Sequence, residues 1–135
     1  MSLEIQQRER EGITVLEMKG RITMGPEATA LREKISELTA ANVRNVVLNL
    51  AGVDYIDSTG LGALVVCATG ARKANGNVKL VNLTKRNIEL LVMTKLATVF
   101  EIFNDEQDAI NSFYPDRKLK TFDILDFVNK MKTEE

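Results

Sequence analysis

The chain has no histidine, which removes Ser-His and Cys-His nucleophilic pairs, imidazole acid–base chemistry and every histidine-containing metal site. Cys67 is the only cysteine, so neither an intrachain disulfide nor a multi-cysteine zinc or iron–sulfur cluster can be built, and a reducing cytosol is the expected setting. Neither sign of charge is in surplus. Eighteen Lys and Arg stand against 19 Asp and Glu, for a formal net charge of -1, and no basic field exists to draw the protein onto nucleic acid. Long hydrophobic runs are missing too: no stretch nears the roughly 18 apolar residues of a membrane span. The start, Met1-Ser2-Leu3-Glu4-Ile5-Gln6-Gln7-Arg8, is polar and lacks the apolar centre of a signal peptide. A cytoplasmic protein without membrane insertion is expected. There is no Gly-x-x-x-x-Gly-Lys-Ser/Thr phosphate loop, which makes the chain a poor candidate for a kinase in its own right.

What is present fits one domain. The 135 residues are 44% hydrophobic, enough to bury about two-thirds of the unfolded surface in a single core. Leu3, Ile5 and Gln7, then Ile13 to Met18 beyond Glu11-Gly12, read as a β-hairpin. Gly25-Pro26-Glu27 opens a helix with Ala28, Leu31, Ile35 and Leu38 on one face, running to about Ala41. Val46-Val47-Leu48-Asn49-Leu50 has the nearly continuous apolar character of a strand covered on both faces. From Thr59 to about Ala74 the chain is apolar nearly all round at its start, which predicts a helix buried against the sheet. Gly60 and Gly62 each cost that helix about 1 kcal/mol relative to alanine, so close backbone approach or a special turn should explain them.

After the Asn75-Gly76-Asn77 turn, a strand is expected over Val78 to Asn82 and a helix behind the Thr84 cap, lined by Ile88, Leu91, Val92 and Leu96. A short strand near Val99 to Phe103 follows, then a helix with Ala109, Ile110 and Phe113 inward, stopped at Tyr114-Pro115. Past a polar connector, Asp116-Arg117-Lys118-Leu119-Lys120, the residues Ile124, Phe127, Val128 and Met131 recur at helical spacing. That stripe suits packing on its own domain, pairing with a second copy as a homodimer, or docking a partner. The order ββαβαβαβα predicts an α/β fold. Its sheet is mixed, mainly parallel, with four to five strands flanked by about four helices, and a C-terminal helical extension follows. The division is a domain over residues 1–114 and a connector with its helix over 115–135.

Ile56-Asp57-Ser58-Thr59-Gly60-Leu61-Gly62 joins a buried strand to a buried helix and sets Ser58 on the exposed junction at a helix amino terminus. Backbone N–H groups there lack intrahelical partners, so a phosphate on Ser58 is tolerated by the fold. At a contact surface the same group brings about -1.5 to -2 charges, and it penalises a complex. Competing readings are weaker in chemistry. Gly60-Leu61-Gly62 begins a dinucleotide fingerprint but has Val65 at the third glycine position. Asp54 and Asp57 lack a third carboxylate for magnesium or acid–base work. Lys85-Arg86 reads as a solvated first-turn pair rather than a phosphate site, and Cys67 as a buried inert thiol. No cofactor, metal or catalysis is expected.

Over about residues 3 to 113 the pattern resembles the STAS-domain anti-sigma-factor antagonists of bacteria. The residues that carry the resemblance are Val46 to Leu50 followed by Val53-Asp54-Tyr55-Ile56-Asp57-Ser58-Thr59-Gly60-Leu61-Gly62. Gly20-Arg21-Ile22, Asn75-Gly76-Asn77 and Val81-Asn82-Leu83 support it. The resemblance implies that Ser58, rather than Thr59, is phosphorylated by a partner anti-sigma factor that is also a serine kinase. It further implies that the unmodified form binds that partner and frees a sigma factor, that a serine phosphatase resets the switch, and that Asp57 holds the phosphoacceptor loop. The implied partner surface comprises Thr23, Asp57, Ser58, Thr59, Gly60 and Leu61. A second family role is a STAS subunit docked permanently in a stress-sensing complex or a lipid-transport ABC assembly. Two departures stand out: Thr23-Met24-Gly25 occupies the place of a usual acidic residue, and the chain continues past Pro115.

Overall fold

A computed structural model describes residues 3–117 and 124–134. Its elements are β1 (Leu3–Arg10), β2 (Ile13–Ile22), α1 (Pro26–Ala40), β3 (Asn45–Ile56), α2 (Ser58–Lys73), β4 (Asn77–Val81), α3 (Lys85–Met93), β5 (Glu101–Phe103), α4 (Glu106–Asn111) and α5 (Ile124–Glu134). The five strands form one sheet in the order β1-β2-β3-β4-β5. The hairpin pair β1 and β2 is antiparallel, and every later neighbour is parallel. This is the mixed, mainly parallel sheet expected from the element order.

Alternation along the central strands separates two cores. Leu16 and Met18 of β2, Val46, Leu48 and Leu50 of β3, and Val78 and Leu80 of β4 belong to the larger core, with Leu31 and Ile35 of α1 and Leu61, Leu64 and Ala68 of α2. Ile13, Val15, Val47, Val81 and Phe103 join Ala109 and Ile110 of α4 in the smaller one. The smaller face carries polar groups as well. Lys79 is buried there, with Nζ 3.3 Å from Glu101, 2.6 Å from Ser112 Oγ and 4.1 Å from the centre of the Phe113 ring.

Some boundaries differ from the sequence reading, each for a physical reason. β3 continues past Leu50 to Ile56 because its second half keeps pairing with β2, through register shifts opposite Lys19 and Gly20, after β4 has ended opposite Asn49. α2 is one-sided rather than apolar all round: Gly62 and Gly70 are exposed and Val66 is 56% exposed. α3 stops at Met93, leaving Leu96 in the following turn, where its N–H donates to Leu91 O. In α5, Ile124 packs against the larger core while Leu125 is exposed. Lys118 to Lys120 of the connector and the side chain of Met131 lie outside the described residues. No helix among the described residues is long and apolar enough to cross a membrane.

Candidate functional site

The end of β3 delivers Asp57 to the N-cap of α2 in extended conformation, φ -91° and ψ -179°. Its carboxylate accepts two backbone hydrogen bonds from different parts of the chain. Oδ1 takes the N–H of Gly60 at 2.7 Å, and Oδ2 takes the N–H of Met24, in the loop after β2, at 2.9 Å. The backbone reinforces the junction: Asp57 N–H donates to Ile22 O at 3.2 Å, and Leu61 N–H donates to Asp57 O at 2.8 Å. The Gly60 N–H, then that of Met24, hold the Asp57 carboxyl below the usual aspartate range; desolvation opposes them, and the Thr59 N–H adds the smallest contribution.

Gly60 makes the approach possible. A Cβ on it would stand 1.8 Å from Ile22 O, so only glycine lets α2 start against the end of β2. Gly62 has no such reason, since a Cβ there would meet nothing within 4 Å. The expectation that close approach or a special turn explains both glycines therefore holds for Gly60, through close approach, and is corrected for Gly62, which sits within α2 with open space beside it.

Of the residues singled out in the sequence, Ser58 and Thr59 are exposed at the first two positions of α2, and Thr23 and Asp57 are half-buried. Gly60 and Leu61 are buried beneath them. Two exposed side chains that sequence reasoning did not single out border the same patch. Met24 is 73% exposed beside Thr23, and Met93, at the end of α3, is 76% exposed. Tyr55 and Arg86 complete the rim: the Arg86 guanidinium lies 5.0 Å over the Tyr55 ring. Ser58, Tyr55, Arg86 and Met93 line a common open cleft of about 310 Å³. Tyr55 and Met93 share this cleft only through the fold, so no local sequence pattern could have signalled them.

The remaining candidates sit away from reactive chemistry. Asp54 is exposed, and burial pushes the Cys67 thiol up to about 11, far from a thiolate at neutral pH. Arg86 is exposed in the first turn of α3, as its sequence position suggests, but it rests on an aromatic ring.

Comparison with known proteins places this geometry. The family model of the STAS domain matches residues 4–109. The chain is 32% identical over 102 residues to the anti-sigma-B factor antagonist of Bacillus subtilis, covering 76% of this chain and 92% of that protein. It superposes with a TM-score of 0.72 and 23% identity on the crystal structure of an anti-sigma factor antagonist from Mycobacterium paratuberculosis, covering 82% of this chain and 93% of that one. It superposes with a TM-score of 0.63 and 17% identity on the Bacillus cell fate determinant SpoIIAA in its phosphorylated form, covering 82% and 99%. With the STAS pattern running from β1 into α4, on the sheet and helices just described, this chain belongs to the STAS domain family.

Proposed function

We propose that the protein is an anti-sigma-factor antagonist whose binding is controlled by phosphorylation of Ser58. Unmodified, it occupies an anti-sigma factor that is also its serine kinase, and a sigma factor is released. Phosphorylation by that kinase ends the complex, and a serine phosphatase restores it. The observation that carries this reading is the exposure of Ser58 at the amino terminus of α2, on a junction clamped by Asp57. A relative solved in a phosphorylated form adds support.

The physics suits a switch rather than a catalyst. Ser58 and Thr59 present hydroxyls from a fixed helix end, and the exposed Met24 and Met93 offer adaptable apolar contact on either side. Thr23 and Asp57 contribute from the rim, while Gly60 and Leu61 set the shape from beneath. Silencing a complex about a thousandfold requires roughly 4 kcal/mol. A phosphate that must be desolvated at the contact can supply it.

The test is incubation of the purified protein with each GHKL-type kinase of its host and ATP, followed by mass spectrometry for a gain of about 80 Da, one phosphate, on Ser58. Pull-downs with the kinase so identified should then find Ser58→Ala bound constitutively and Ser58→Asp bound weakly. No modification by any kinase, or a stoichiometric complex with one large assembly that survives phosphorylation, would overturn the reading.

A further inference from the structure

The cleft beside Ser58 holds an unbalanced set of charges. Asp57 and Glu89 contribute carboxylates, and among the described residues lining it Arg86 is the cation. Both oxygens of Asp57 are committed to the amides of Met24 and Gly60. A phosphate on Ser58 adds about -1.5 to -2 charges next to that fixed carboxylate. The backbone N–H groups at the start of α2 offset part of that charge, and a cationic side chain free to move toward the phosphate can offset the rest.

Arg86 has that freedom. It is exposed, and among the described residues it has no carboxylate partner; its guanidinium rests on the Tyr55 ring. Stacking uses the face of the guanidinium and leaves its N–H edge available, in the planar fork that matches phosphate oxygens. The supports of the two groups are tied together. Tyr55 is the last residue but one of β3, just before Ser58, and α3 is anchored to the same strand where Asn87 Nδ2 donates to Val53 O at 3.0 Å.

We propose that Arg86, carried on Tyr55, is the intramolecular counter-ion of a phosphate on Ser58, and that this pair closes the cleft which the unmodified serine leaves open. The proposal rests on Ser58 being the phosphoacceptor. It adds a second reason for the phosphorylated form to lose its partner: the rim residue Arg86 is engaged by the phosphate and no longer offered for contact.

The experiment uses full-length protein with phosphoserine installed at position 58 during translation, followed by phosphorus NMR across pH. The groups facing the phosphate are Asp57 and Glu89, which raise its second ionisation, and Arg86, which lowers it. The wild-type midpoint is expected at least about half a unit below that of Arg86→Gln, about threefold in proton affinity, with Arg86→Lys between them. Tyr55→Leu, which removes the platform, should move the midpoint toward that of Arg86→Gln. Arg86 is exposed, so the variants fold, and matching amide spectra check this. Equal midpoints in wild type and Arg86→Gln would overturn the proposal. Because no kinase takes part, that result concerns Arg86 alone, whereas Ser58 left unmodified by every host kinase overturns the function beneath it.

Discussion

The carboxylate of Asp57 accepts the backbone N–H of Met24 across 33 positions of sequence while capping its own helix at Gly60. One side chain thereby fixes the loop after β2 to the start of α2, and the two surfaces flanking Ser58 move as a unit. Asp57→Ala leaves both amides without their acceptor. The variant should unfold at lower urea concentration than wild type, and its Ser58 should be phosphorylated several-fold more slowly by a kinase identified as above.

The same contact sets a pH dependence with a defined sign. The folded protein holds the Asp57 carboxyl below its ordinary value, so the ionised cap stabilises the fold fully above the unfolded aspartate value of about 4. That contribution is lost as pH falls through the lower, folded value. Urea denaturation of wild type and Asp57→Asn should therefore differ by a constant amount from neutral pH down to about pH 4, and converge below it.

Gly60 and Gly62 lie two residues apart in the first turns of α2 and should respond oppositely to alanine. At Gly60 the new methyl meets Ile22 O at 1.8 Å, and β2 and α2 must separate at the site itself. We expect Gly60→Ala to cost about 2 to 3 kcal/mol. Gly62→Ala meets open space and should gain up to about 1 kcal/mol from helix propensity. Chemical denaturation of the two single variants decides both signs.

How much of this was legible in the sequence depends on how local its cause is. The Val46 to Leu50 run announced a doubly covered strand because every residue in it is buried or half-buried. Its continuation to Ile56 was hidden, since Ala51, Gly52, Asp54 and Tyr55 are exposed and the register shifts opposite β2 break the alternation. Asp57 was readable as a candidate site residue only through the family resemblance. Its bond to Met24 was not, because no pattern links positions 33 apart. Val66 belongs to an apolar run, yet it faces solvent, because hydrophobicity alone does not tell which side of a helix a sheet covers.

Asn87 shows a polar residue standing in for a missing strand. β4 ends opposite Asn49, and four residues further along β3 the buried Asn87 side chain donates to Val53 O at 3.0 Å. Asn87→Leu removes that donor and leaves a carbonyl unsatisfied, at an expected cost of roughly 1 to 3 kcal/mol. Hydrogen exchange should also quicken at the end of β3, from Val53 to Ile56, more than in β4. Uniform change across the sheet would count against the local role of Asn87.

On the opposite side, Glu106 at the start of α4 ties the hairpin to the sheet. Its carboxylate pairs with Arg8 and, at 2.7 Å, with Arg10, and Asn49 Nδ2 reaches it at 3.3 Å. Desolvation pushes the Glu106 carboxyl up, but the hydrogen bonds from Arg8, Arg10 and Asn49 outweigh it and hold the group at about 2. Arg8 and Arg10 are each more than a third exposed, so solvent screens these pairs and the ionised group is worth on the order of 1 to 2 kcal/mol. Since the folded value is depressed, this stability is complete above about pH 4.5 and disappears as pH falls toward 2. Glu106→Gln should accordingly lower stability by about 1 to 2 kcal/mol at pH 7, with the gap to wild type narrowing below pH 4. Ellipticity followed through urea titrations at pH 7, 4 and 3 measures it. A gap that stayed constant across the three would mean that packing of the side chain, rather than its charge, holds α4 against β1.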